Sequence, residues 1–156
     1  MTTLNVALMP DGRIVRSEFS GRLCADALYY FGFIPKVSNL CLPSDPLEQH
    51  HFVAVHRSGT LMIGLDWEYR EDYSPEFMRL GVRCGSSGVD QLWAKGGTSG
   101  PPVLSDDDLT HANPRRPPLQ VSVPAPSMCE IKPWAYRSFK TVIPATQYRL
   151  TIDHPR

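Results

Sequence analysis

Ten of the fifteen prolines in this chain lie at or beyond residue 101, and the stretch from Gly96 to Pro126 gathers most of them together with Gly96, Gly97 and Gly100. Proline fixes φ and has no amide hydrogen to give to a helix or a ladder, so such a stretch does not read as the interior of a regular element. About thirty residues without apolar periodicity are also too long for an ordinary connection. The sequence therefore divides into a compact β-rich body over residues 1–97, a Pro/Gly-rich extended arm over 98–127, and C-terminal strands over 128–156 that return to the body. Within the arm, Ser105 ahead of three aspartates offers one helical turn. An arm with little apolar surface of its own stays ordered only by lying on another surface.

At 156 residues and 17.5 kDa there is room for one cored domain plus such a segment. A chain of this size buries roughly 70% of the surface its unfolded form exposes, enough to fold without disulfides or a structural metal. Apolar residues make up 42% of the chain and charged residues 21%, which excludes wholesale disorder. No apolar run approaches the ~18 residues of a membrane-spanning helix, so no membrane partner is expected. The opening Met1-Thr2-Thr3-Leu4-Asn5 lacks the basic and apolar regions of an export leader. The expected location is cytoplasmic, or within a viral particle. Cys24, Cys41, Cys84 and Cys129 follow one another at intervals of 17, 43 and 45, neither a dense disulfide framework nor a ligand spacing, and read as reduced thiols.

Sixteen basic and sixteen acidic residues cancel overall, but residues 1–112 hold nine Lys/Arg against 14 Asp/Glu, while residues 113–156 hold seven against two. The basic tail can meet an anionic partner or pack on the acidic body of its own chain or of a neighbouring subunit.

Leu4 to Met9 alternates loosely, and Pro10-Asp11-Gly12 then leads into Arg13 to Arg16, which predicts a hairpin. Ser20 precedes Leu23, Cys24, Ala27, Leu28 and Phe31 at helical spacing, with Gly32 as terminator, and predicts a helix. Pro46 allows a helical turn after Ser44 or Asp45. His51 to Arg57 and Thr60 to Trp67 flank Ser58-Gly59 and read as a second hairpin. Ser74-Pro75-Glu76 ahead of Phe77 to Gly81 predicts a short capped helix, and Gly85 to Gly88 a turn. Cys129 to Phe139 and Gln147 to Ile152 read as strands, with Thr141 to Ile143 a weaker one. The fold class expected is α+β and β-rich: an antiparallel sheet built from hairpins, two or three short helices and a long Pro-rich extended segment.

Chemistry-bearing patterns are few. His50 and His56 on one strand would stand about 20 Å apart, with His51 facing the other way, so these histidines cannot share one ion. Cys24 lies on an apolar stripe and reads as core, and Gly85-Ser86-Ser87-Gly88 is no nucleophile elbow. Asp66, Glu68, Glu71, Asp72 and Glu76 are interleaved with Trp67, Tyr69, Arg70 and Tyr73. This is a solvated strand end, or else a partner-binding surface, for which these aromatics and Arg70 are the anchor types; Arg115 and Arg116 in the arm join it. Lys132, Trp134, Tyr136, Arg137, Lys140 and Arg149 mix cations with stacking surfaces, the composition of a single-strand nucleic-acid-binding sheet. Alternation puts Lys132, Trp134, Tyr136 and Lys140 on one strand face, opposite Ile131, Ala135 and Phe139.

The function expected is therefore a non-enzymatic interaction or assembly protein, of the kind found among viral and phage structural or accessory components, that binds a protein partner or a second copy of itself. Single-stranded nucleic-acid binding through the C-terminal strands is the alternative, and a small Cys/His or metal-dependent enzyme the second. No catalytic residue, metal ligand or cofactor is assigned.

Overall fold

The computed structural model describes residues 3–24, 26–28, 41, 44–67, 77–94, 118–138 and 145–156, with the backbone course alone at 26–28, 77, 91–94 and 136–138. Ten strands follow in order: β1 (Thr3–Leu8), β2 (Ile14–Leu23), β3 (Asp26–Leu28), β4 (His51–Val55), β5 (Gly59–Trp67), β6 (Phe77–Cys84), β7 (Ser87–Ala94), β8 (Leu119–Val123), β9 (Ser127–Ser138) and β10 (Thr146–Asp153). Sheet A has the order β1-β2-β10-β5-β8. Sheet B has the order β3-β9-β6-β7, with β4 pairing the start of β9 on the same edge as β3. All neighbours run antiparallel except β3, which is parallel to β9.

Alternation creates the core. Leu61, Ile63, Leu65 and Trp67 of β5, Tyr148, Leu150 and Ile152 of β10, and Leu119, Val121 and Val123 of β8 turn one face of sheet A inward. Val53 and Val55 of β4, Met78, Leu80 and Val82 of β6, and Cys129, Ile131 and Ala135 of β9 do the same from sheet B. The two sets form one apolar cluster, so the molecule is a β-sandwich.

The expectation of an α+β fold is overturned, because no helix occurs among the described residues. Where a helix was expected over residues 20–31, β2 runs on to Leu23 and β3 follows at Asp26–Leu28. Phe19 and Leu23 are buried and exposed-side positions lie between them, a period of two that continues the pattern begun at Ser17. Where a capped helix was expected over 74–81, Phe77–Cys84 is a strand, with Met78, Leu80, Val82 and Cys84 buried in alternation. Residues 44–48 form a turn and a bridge from Glu48 to Trp134, not a helical turn. The turn expected at Ser105 and the weak strand at Thr141 to Ile143 lie outside the described residues.

The first hairpin is present, with β1 and β2 joined through Pro10-Asp11-Gly12 and Gly12 at φ 83°. Gly85, at φ 59°, turns β6 into β7. The expected hairpin around Ser58-Gly59 is not one: both strands exist, but β4 pairs with β9 in sheet B and β5 with β10 and β8 in sheet A. Ser58-Gly59 is a corner where the chain changes sheets. Each strand has its own buried face, and the two faces meet across the core instead of sharing a ladder. Gly59 has φ 141°, and a Cβ there would lie 2.8 Å from Pro155 Cβ, so the corner closes against the C-terminal segment. Part of the segment assigned to the arm is regular: Leu119–Val123 is β8, bounded by Pro118 and by Pro124 and Pro126, while residues 98–117 lie outside the described residues.

All four cysteines are paired, Cys24 with Cys41 and Cys84 with Cys129, which corrects the reading of reduced thiols. Cys84 and Cys129 face each other on β6 and β9 with Cα atoms 4.3 Å apart, the spacing of a non-hydrogen-bonded antiparallel pair. Odd-numbered residues of β9 therefore turn their backbone polar groups away from β6. This explains how Pro133 sits in a central strand: its missing N–H faces the edge between β4, which ends its pairing at Ile131, and β3, which begins at Tyr136.

Two outcomes test these assignments. The Cys84–Cys129 link spans 45 residues and the Cys24–Cys41 link 17, so chain entropy puts their loss at about 4 and about 3 kcal/mol; chemical denaturation of the two Cys→Ala pairs should rank them in that order. Gly59→Ala, with a positive φ and a steric conflict, should cost about 2–4 kcal/mol, whereas Gly12→Ala, strained by its positive φ alone, should cost about 1–2 kcal/mol.

Candidate functional site

The outer face of sheet B is where sequence-predicted site residues come together. Lys132 and Trp134 stand on the outward phase of β9, between the inward Ile131, Pro133 and Ala135. Register sets Gly81 beside Lys132, Arg79 beside Trp134 and Arg83 beside Glu130. On the far side of β6, Asp90 lies beside Gly81 and Gly88 beside Arg83. Glycines at 81 and 88 leave no side chains there, and the surrounding Arg79, Arg83, Asp90, Glu130, Lys132 and Trp134 enclose a depression of about 650 Å³.

Charge on this face is compensated locally. Arg79 Nη2 donates to Asp90 Oδ2 at 3.0 Å, and Lys132 Nζ lies 3.7 Å from Glu48 Oε2. His50 bridges Glu130 (2.8 Å) and Glu48 (3.3 Å) through its two ring nitrogens. Three carboxylates thus stand among three cations and one histidine. Arg149, which the sequence groups with Lys132 and Trp134, is on β10 in the other sheet, exposed beside Asp66 and Ser20. Tyr136 and Arg137 lie on β9 where only the backbone is described, and Lys140 lies outside the described residues.

Of the residues expected to bind a partner, Trp67 is buried, 6% exposed, at the end of β5, in phase with Leu61, Ile63 and Leu65. It belongs to the core. Tyr69, Arg70, Tyr73, Arg115 and Arg116 lie outside the described residues.

Buried polar groups form two links. His51 of β4 and Tyr148 of β10 join the sheets, with His51 Nε2 and Tyr148 Oη 2.5 Å apart, and the Tyr148 hydroxyl donates to Gln49 Oε1. Gly21 makes room for this contact, since a Cβ there would overlap Gln49 and the Tyr148 hydroxyl. Burial, with a smaller contribution from His50, pushes the His51 imidazole down to about 4, and burial raises the Tyr148 phenol. Both groups are neutral across the ordinary pH range. The second link joins Ser17 Oγ to His154 Nε2 at 2.8 Å; burial and the neighbouring His56 lower the His154 proton affinity, partly offset by Asp153. Ser17 is itself buried, so this serine–histidine pair offers no exposed nucleophile. Among the described residues no His, Cys, Asp and Glu cluster has the arrangement of a metal site. No helix there is long and apolar enough to cross a membrane.

The feature that sequence reasoning passed over is β1. All six of its residues are exposed, and Leu4, Val6 and Leu8 are exposed to 54%, 46% and 60%. Leu4 is opposite Phe19 and Val6 opposite Ser17, both buried, so this apolar row lies on the core-facing side of sheet A. Among the described residues, sheet B stops short of it and no strand pairs with its outer edge. The signal was present: Leu4, Val6 and Leu8 alternate, and Thr3–Leu8 contains no charge.

Comparison of this chain with protein-family models, with curated proteins and with solved structures finds no match.

The buried histidine gives a pH prediction. An unfolded histidine titrates near about 6.5, and His51 in the fold near about 4, so between those values the unfolded chain binds more protons. Stability should be level above about pH 7 and fall as the pH drops through about 6.5 toward about 4, with His154 adding to the same slope. Thermal midpoints of a His51→Leu/Tyr148→Phe variant should show a shallower acid-side slope; an unchanged slope would place the acid sensitivity elsewhere.

Proposed function

We propose that this chain is a non-enzymatic assembly domain that associates with a second copy of itself through β1. The observation that carries this reading is the uncharged, apolar edge at Thr3–Leu8, which no strand pairs among the described residues. An edge strand presents unpaired N–H and C=O groups, and soluble proteins ordinarily blunt it with charge, proline or short length. Among the described residues the only such device is a register irregularity between Ala7 and Leu8.

A second copy is favoured because the strand is compatible with itself. Its six residues carry no charge to repel an identical strand. A twofold axis through Val6, normal to the sheet, sets Val6 against its own counterpart and Leu4 against the partner's Leu8, keeping the Leu4, Val6 and Leu8 rows of both copies on one face. Such pairing joins two copies of sheet A into one continuous sheet. The paired cysteines support an oxidising setting for the domain over a reducing one.

Nucleic-acid binding has weaker support. Polyanion binding draws on cations free to replace counterions, whereas Arg79 and Lys132 are engaged by Asp90 and Glu48, with Glu130 close by. A thiol mechanism loses its nucleophile to the two disulfides.

Val6→Lys tests the assignment. Light scattering coupled to size exclusion should show the unaltered chain passing from monomer to dimer with rising concentration, and the variant remaining monomeric with stability within about 0.5 kcal/mol. A chain that stays monomeric at every concentration, or a variant that dimerises equally well, would overturn it.

A further inference from the structure

At the end of the sandwich where the β1–β2 turn, the close of β4 and the C-terminal segment meet, a pocket of about 300 Å³ is bordered by Arg13, His56, Arg57, His154 and Arg156. Three arginines and two histidines border it, and no carboxylate side chain does. Of the two nearby acids, Asp11 pairs with Arg13 at the pocket's own edge, which takes that arginine out of the anion-binding set, and Asp153 pairs with Arg16 outside it. Arg57 and Arg156 are exposed and form no ion pair among the described residues. We infer that this pocket is a binding site for a small oxyanion of the phosphate class, held by Arg57 and Arg156 with His56 beside them.

The walls are fixed before any ligand arrives. The His154 N–H donates to the Val15 carbonyl at 2.9 Å, its ring is held by Ser17, and Pro155 is seated on Gly59. Met9 and Arg13 are tied across the turn by the Met9 N–H to Arg13 carbonyl bond, 2.7 Å. Ile14, Val15 and Pro155 supply an apolar lining, which lowers the local dielectric and strengthens the attraction of guanidinium groups for an anion. Guanidinium matches the paired oxygens of phosphate. The volume lies at the small end for ligand pockets, which suits inorganic phosphate or a small phosphate monoester and not a polymer. The site is separate from the β1 edge and stands or falls independently of it.

The test is titration of the whole chain with inorganic phosphate and, in parallel, with glycerol phosphate, against chloride at matched ionic strength, following the ring resonances of His56 and His154 by NMR. The expected result is saturable shifts with either phosphate and none with chloride; the tighter of the two probes identifies the free ion or the ester as the preferred form. Arg57→Gln/Arg156→Gln, two exposed positions, should weaken binding by about tenfold or more, the effect of a lost charge-assisted contact, with an unchanged melting temperature in the absence of ligand. Shifts that chloride reproduces, shifts that do not saturate, or equal affinity in the double variant would overturn the assignment.

Discussion

The middle of both sheets comes from the last thirty or so residues of the chain, and the rest of the sandwich is arranged around that fact. β10 exchanges ladders with β2 on one side and β5 on the other, while β9 serves β6 along one edge and β4 and β3 along the other. A strand with neighbours on both sides and a buried face satisfies its backbone groups and its apolar side chains together. The N-terminal strands cannot complete either sheet without these two. The Cys84–Cys129 link fastens one of them to β6 within the core layer.

Central strands drawn from one end of the chain force the others to change sheets. Among the described strands only β1–β2 and β6–β7 are hairpins between sequential strands; the steps from β4 to β5, from β8 to β9 and from β9 to β10 each pass from one sheet to the other. This is why alternation was legible while pairing was not. His51 to Val55 and Gly59 to Trp67 both read as strands from their sequence, and a short glycine-containing link between two strands ordinarily means a hairpin. Which ladder a strand joins depends on residues far away, here on β9 and β10, and no local signal carries it. The two misplaced helices have a related origin. Leu23, Cys24, Ala27 and Leu28 satisfy a helical spacing, yet Ser17, Phe19, Gly21 and Leu23 satisfy a period of two on the strand side, and long-range pairing decided between them. At residues 74–81 the proline and the glycine resembled helix punctuation, but Gly81 is instead the floor of a depression on a sheet.

Side-chain placement was more legible than topology. Opposite faces for His50 and His51, and a shared outward phase for Lys132 and Trp134, follow from the period of a strand and need no tertiary information. The same rule assigns Trp67 to the core with Leu61, Ile63 and Leu65, although its residue type alone suggests an interface anchor. The disulfides are the opposite case. Intervals of 17 and 45 carry no signature, and the Cys84–Cys129 pair becomes evident only once β6 and β9 are known to be neighbours in this register.

How the open edges are protected separates β1 from the others. β8 is five residues long and bracketed by Pro118 and Pro124. β3 and β4 are three and five residues long and share one edge of β9. β7 carries Asp90. Short length, proline and charge are the ordinary means by which a sheet edge avoids pairing with a foreign strand. β1 has six residues, none of them charged and none of them proline, and its apolar row projects from the core-facing side of sheet A without cover from sheet B among the described residues. Burying Leu4, Val6 and Leu8 requires apolar surface from outside this set of strands, and satisfying the outer amides and carbonyls of β1 with protein requires another strand. A second sheet edge meets the backbone need and sets the two apolar rows side by side, so that each partly shields the other.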